Sequence, residues 1–360
     1  VAEEIVIEEP SDVLEETEIA EEFLEEPVME EDETIEQNGA VEPILPYSTK
    51  TLEDYNGEYS LYYLLNHFNL FVDGDADSGH CIGPVAIKGE SKFDKGIGTP
   101  GYTHTTPTYF EGNVNFSTNK GLGVKALFVG EVNAQNVNVK NWDEYPKYTS
   151  KDDEYIDFEE AFRQIKSEIA AISNNPDVID VDFSKPEGSH YSIYKVEGNG
   201  WYQLDVDSGY AYNLLSGVID HLLTINVVGE SGDAVILCKE SGKVNLPNVN
   251  INGYDDWTKI LPAGANIEYG ADNGIVLLYP NATSFKRNGG VRNSNGHLVA
   301  PNALVDCLGG DKNGSTICKE YNCPSTESHM WPYHGKIIRP TKTNLHAEKT
   351  VDGIVPTDDQ

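Results

Sequence analysis

The segment LFVDGDADSGHCIGPVAIKGE, residues 70–90, decides how the rest of the chain is read. Three aspartates stand at alternate positions, Asp73, Asp75 and Asp77, between two apolar runs. Alternate carboxylates open an EF-hand loop, in which calcium collects six to eight oxygens. The same residues suit a corner between two short strands, because Asp and Gly make local backbone hydrogen bonds and tolerate unusual φ. The EF-hand frame fails in its second half, where position six is Ser78 instead of Gly and position twelve is Pro84 instead of Glu. The segment reads as strand, corner, strand. Calcium at Asp73, Asp75 and Asp77 is the second reading.

The same rhythm continues outward. GNVNFST, KALFVGEV, AVILCKE, KVNLPNVNING, GIVLLYP and HLVAPNALVDCL are runs that alternate or stay apolar and stop at Gly, Asn or Asp. Such runs, without an exact internal repeat, point to a mainly β fold, either a sandwich or a solenoid of irregular coils. Upstream, YNGEYSLYYLLNHFNLFV is a buried opening segment whose helix or strand character stays undecided. One stretch breaks the pattern. In DFEEAFRQIKSEIAAISNNP, Phe158, Phe162, Ile165, Ile169 and Ile172 form one stripe of an amphipathic helix over residues 157–173. Asp157 and Glu160 resemble a capping box, and Asn174-Asn175-Pro176 ends the run. A lone helix among strands needs a flank to lie against.

Charge narrows the partners. The chain of 360 residues carries a formal charge of −35, and residues 1–40 contain 17 acids and no Lys or Arg. Residues 1–45 are expected to form an acidic, solvated segment, 46–340 the folded domain, and 341–360 a linker with the first strand of a further repeat. A field this negative repels phosphate and anionic lipid, so neither nucleic acid nor a bare membrane surface is expected as a partner, and neutral or cationic partners remain. No run of 18 apolar residues occurs, so no membrane insertion is expected. The chain opens on Val-Ala without a leader and reads as a piece of a longer protein. Five cysteines in unpatterned spacing match no zinc site, and one local disulfide among Cys307, Cys318 and Cys323, or none, is expected.

FNLFVDGDADSGHCIGPVAIKGE, with Gly83, Val85, Ala86 and Gly89, resembles the opening of the choice-of-anchor A domains of bacterial surface proteins. Pro84 and Glu90 depart from that pattern. The helix beginning IDFEEAF is also similar to the family. So is the close of the chain, through His297, Ala300, Pro301, Asn302, Gly314, His329, Trp331, Pro332 and Tyr333. That family resembles the ice-binding-protein-like adhesive domains. The resemblance implies a right-handed β-solenoid (β-helix) with one long α-helix packed along its side. It further implies a secreted adhesin head anchored at the cell wall, non-catalytic and monomeric, that binds an extracellular glycan or a matrix protein such as collagen. NLHAEKTVDGIVPTDDQ resembles the first strand of a pilin or collagen-adhesin B-type stalk repeat, but no isopeptide bond at Lys349 is expected because the rest of the repeat is absent.

Site chemistry is weighed in the same terms. Trp257 beside Asp255 and Asp256 suits a sugar platform, and Trp331 with Tyr333 suits either a ligand patch or a cap on the fold. Asp205 and Asp207, or Asp255 and Asp256, are the acids that a solenoid polysaccharide lyase or hydrolase would use. A structural spacer is the third reading. Thr103–Thr108 is too interrupted for a regular threonine array, no three histidines suggest a metal, and no Cys sits where its thiol would be activated.

Overall fold

The structure, a computed structural model, describes residues 59–98, 106–116, 124, 126–133, 147–149, 156–176, 178–182, 191–196, 199–205, 211–214, 224–228, 234–245, 248–251, 275–286, 293–306, 310–331 and 333. All of them belong to the unit Pro43–Gln360.

The described residues are mainly β, with two helices and an extensive parallel sheet. A first ladder stacks eleven segments in parallel. It begins with Ile179–Val181, Ala211–Leu214, Ala234–Cys238 and Ile275–Leu278. It continues through the first parts of His297–Asp306 and Thr316–His329. Leu70–Val72, Val85–Ile87, Thr108–Phe110, Ala126–Phe128 and Lys147–Thr149 complete it. The chain therefore joins the ladder in its middle, because Leu70–Val72 lies between Val85–Ile87 and Thr316–Cys318. Rungs are added in one direction as far as Lys147–Thr149. After the long helix the chain resumes at the other end with Ile179–Val181 and builds back to the middle.

A second parallel ladder follows the first along the chain. Its segments are Gly242–Asn245, Ala282–Lys286, the second part of His297–Asp306, the middle of Thr316–His329, Ala76–Cys81, Ser91–Ile97, Val114–Phe116 and Val132–Asn133. A third ladder joins Asn293–Asn295, Gly310–Asn313 and the ends of Thr316–His329, Ala76–Cys81 and Ser91–Ile97. The 14-residue strand Thr316–His329 thus takes part in all three. A separate four-stranded sheet pairs Tyr191–Val196 antiparallel to Asn199–Asp205, then continues in parallel through Thr224–Val228 and Asn248–Ile251.

Alternation along the first ladder splits its apolar residues between two clusters. Leu70, Val72, Val85, Ile87, Phe110 and Phe128 belong to one, with the Phe110 and Phe128 rings stacked at 5.4 Å. Phe71, Ala86, Tyr109, Leu127, Val299 and Ile317 point the other way, into a cluster shared with both helices. The periodic stripe forms helix α2, Phe158–Ser173, with Phe158, Phe162, Ile165, Ile169 and Ile172 buried. Phe71 meets the rings of Phe158 and Phe162 at 5.2 and 5.8 Å, and Tyr109 meets Phe158 at 6.1 Å. Sixteen helical residues span about 24 Å, the height of about five rungs.

Only half of the expected capping box forms. Asp157 accepts from the Glu160 N–H at 2.9 Å, whereas the Glu160 carboxylate turns to Arg163 and Gln164. The Asp157 N–H instead donates to the Tyr59 hydroxyl at 2.8 Å. The undecided opening segment resolves into helix α1, Leu61–His67, followed by the strand Leu70–Val72. The Leu61 N–H, one of the donors a helix start leaves unpaired, reaches Glu168 of α2 at 3.0 Å.

Cys81, Cys238, Cys318 and Cys323 are buried outside any disulfide, and Cys307 lies outside the described residues. Burial pushes the Cys81 and Cys238 thiols up to about 12, which leaves them unreactive.

Candidate binding face

The corner read from residues 70–90 recurs on four rungs. Val72-Asp73-Gly74-Asp75-Ala76, Ile87-Lys88-Gly89-Glu90-Ser91, Phe110-Glu111-Gly112-Asn113-Val114 and Phe128-Val129-Gly130-Glu131-Val132 each carry the chain from the first ladder to the second. A Cβ on Gly112 would strike the Gly89 carbonyl, and one on Gly130 the backbone of Gly112, so the corners stack only because this position is bare.

The residue after each glycine forms a polar column on the surface. Asp75 Oδ1 accepts from the Glu90 N–H at 2.9 Å. Asn113 Nδ2 donates to Glu90 Oε1 at 3.0 Å, and Asn113 Oδ1 accepts from the Glu131 N–H at 2.8 Å. The outer side of the second ladder continues this polar surface with Asn322, Asp77, Lys92 and Asn115 in register. Lys92 lies 3.6 Å from Asp77 and 3.3 Å from Asp94, and its pKa is raised mainly by the hydrogen bond to Asp94. Lys88 lies 3.6 Å from Asp73. A concavity of about 300 Å³ opens here, lined by Asp75, Asp77, Glu90, Lys92, Asn115 and Asn322, with Leu304 and Tyr321 beside them. Carboxylates, amides and an ammonium offer acceptors and donors together on a backbone fixed by ladder hydrogen bonds.

The three aspartates of the calcium reading are divided among separate tasks. Asp73 faces Lys88, Asp75 ties two corners together, and Asp77 faces Lys92. Among the described residues no three His, Cys, Asp or Glu side chains are grouped to hold a metal ion. Trp331 and Tyr333 are buried, at 0% and 1% exposure, with Tyr333 edge-on to His297 at 5.4 Å, so neither offers an exposed ring to a ligand. Asp205 ends the strand Asn199–Asp205, paired with Val228. Asp207, Asp255, Asp256, Trp257 and Lys349 lie outside the described residues. In the threonine stretch Thr106 and Thr108 are buried, and Thr103 to Thr105 lie outside the described residues.

The closing residues that carried the resemblance have structural work. His297 Nδ1 accepts from the Ser315 N–H at 3.0 Å, and Asn302 Nδ2 donates to the Pro280 carbonyl at 2.9 Å. Gly314 has φ +114° and sits against the Gly296 carbonyl. One cluster has no signature in the sequence. Glu327 Oε1 lies 3.1 Å from His80 Nδ1 and 3.7 Å from His329 Nε2, and these two rings, His329 foremost, hold its pKa well below the usual carboxylate range.

The ice-binding-like adhesive domain family matches residues 62–330, about three quarters of the chain, and the chain belongs to that family. The match runs from α1 to the end of the closing strand, so it covers the ladders, α2 and the polar face together. Searches of curated proteins and of solved structures each found no match.

Proposed function

We propose that this chain is the non-catalytic head of a secreted adhesin displayed at a cell surface, and that it holds an extracellular macromolecule on the outer face of the second ladder. The observation that carries the reading is the concavity of about 300 Å³ between Asp75, Asp77, Glu90 and Lys92, set on stacked rungs whose opposite side is core. Family membership supports the adhesive role. In this reading the three ladders close into a right-handed solenoid, the fold of the choice-of-anchor A domains, and present the face as a rigid strip. Surfaces of this kind bind large ligands through many shallow contacts with a polar rim. The excess of acids over Lys88 and Lys92 favours neutral or cationic ligands, and binding of a cationic ligand should weaken as salt is raised. Asp73 and Asp75 serve the corners in this reading, Asp77 faces Lys92 on the binding face, and calcium is not required.

The test is binding of the whole chain to glycan arrays and to a panel of matrix proteins, collagen included, at low and physiological salt. Binding to a neutral or basic ligand is expected, and the paired substitutions Asp77→Asn and Glu90→Gln should weaken it about threefold to tenfold, as loss of half-exposed charge contacts would. A flat result on both panels, or binding indifferent to these substitutions, contradicts the assignment. New reducing or unsaturated ends appearing in the glycans would point to an enzyme instead.

A further inference from the structure

The four-stranded sheet sorts its residues onto two unlike faces. Register places Ile193, Tyr202, Ile225 and Val249 in one row, with Tyr191, Leu204, Val227 and Ile251 in the next row on the same side. Val249 is fully buried in the main apolar cluster, so this side of the sheet is the core side. The Val249 carbonyl also accepts from Asn295 Nδ2 at 2.8 Å, which fastens the last strand of the sheet to the start of the third ladder. The opposite face differs in composition. Tyr194, Trp201, Thr224 and Asn248 make one row there, and Ser192, Gln203, Asn226 and Asn250 the row beside it. Asp205, in register with Val228, is the one charged residue that the pairing puts on this face, and no Lys or Arg is placed there.

Solvation accounts for the amides and hydroxyls of this face but not for its aromatic pair. Tyr194 and Trp201 are direct cross-strand partners, a placement that sets Cβ atoms about 5 Å apart. Tyr and Trp join a broad apolar body to a polar tip, and an amide offers donor and acceptor together. An uncharged sugar ring asks for both, because its C–H faces rest on an aromatic body while its rim hydroxyls exchange hydrogen bonds with amides. Neighbouring rows are about 7 Å apart, and a row crosses the four strands in about 14 Å, so the face suits a short run of sugars. Without Lys or Arg it has no means of holding a phosphate, sulfate or uronate, and a single acid gives little hold on a cation. We propose that this face is a second binding surface, for a neutral β-linked hexopyranose chain, with Trp201 and Tyr194 as the platform and Gln203, Asn226 and Asn250 as partners for its hydroxyls. It shares no residue with the charged concavity of the second ladder.

Calorimetric titration of the whole chain with cellohexaose and chitohexaose, beside an oligogalacturonate of the same length, tests the proposal. At least one neutral sugar is expected to bind and the uronate not to, with the same affinity at low and physiological salt. Trp201→Ala should weaken binding about tenfold or more, as loss of a central aromatic anchor does, and Trp201→Phe should retain most of it. Hydroxyl-radical labelling of the unsubstituted chain gives a reading that does not depend on variant folding. Cellohexaose or chitohexaose, whichever binds, should slow the labelling of Trp201, with buried Trp331 as the unreactive reference. No binding of either neutral sugar, equal binding of the uronate, or Trp201 as unreactive as Trp331 in the free chain overturns the proposal. So does binding that survives Trp201→Ala but is lost with Asp77→Asn and Glu90→Gln together, a result that puts the sugar on the second ladder and leaves the proposed function standing. Dimerisation seen by sedimentation and abolished by Trp201→Ala would make the occupant a second copy of the chain, and overturns it as well.

Discussion

Leu70–Val72, Val85–Ile87, Thr108–Phe110 and Ala126–Phe128 direct Phe71, Ala86, Tyr109 and Leu127 to one side, and helix α2 lies against that surface. A few residues further along the same turns, Ala76–Cys81, Ser91–Ile97 and Val114–Phe116 direct Asp77, Lys92 and Asn115 outward beside an open concavity. Backbone pairing is parallel in both ladders, and both have an apolar side facing the shared core. What differs is the outward residue. An apolar column must be covered, and the chain supplies its own cover in the Phe158–Ile172 stripe. A polar column is satisfied by water and by its neighbours, and remains open to a partner. One ladder is therefore covered by the chain itself, and the other stays open as the proposed binding face.

Substitutions separate these roles, and the largest effect belongs to the covered face. Phe71 is fully buried between the rings of Phe68, Phe158 and Phe162, so Phe71→Ala should destabilise by about 3–5 kcal/mol, read as a shift in the denaturation midpoint. The corner between the ladders comes next. Gly112→Ala places a methyl group against the Gly89 carbonyl and should cost about 1–3 kcal/mol in the same measurement. Smallest is the open face, where Lys92→Ala should change stability by less than about 0.5 kcal/mol, because Lys92 is half-exposed and its partners Asp77 and Asp94 keep part of their side chains in solvent. If Lys92→Ala proves as damaging as Phe71→Ala, the open face is structural and the contrast fails.

Much of this contrast was legible in the residues. The helix stripe was readable because five apolar side chains at steps of four and three leave no other periodic structure. The strand rhythm was readable because each rung ends at Gly, Asn or Asp. The four-corner stack was not seen, although its signature is printed in the chain. Gly74, Gly89, Gly112 and Gly130 are separated by 15, 23 and 18 residues, because the remainder of each turn varies in length while the corner does not. A search for a fixed period misses a motif held constant at only one corner. The Glu327 cluster was beyond sequence reading for a different reason. His80 and Glu327 are 247 residues apart, and only pairing of Ala76–Cys81 with the closing strand brings them together. Trp331 and Tyr333 illustrate the remaining ambiguity, since an aromatic cluster reads equally well as a platform or a plug until burial is known.

Hydroxyl-radical footprinting of the intact chain tests the division between covered and open faces most directly, with Tyr62, 42% exposed, as an internal standard. Phe71, Tyr109, Phe158 and Phe162 are expected to react far more slowly than Tyr62, because α2 seals them against the first ladder. Oxidation of Tyr109 and Phe162 at the rate of Tyr62 in the folded protein would mean that the helix does not cover that face.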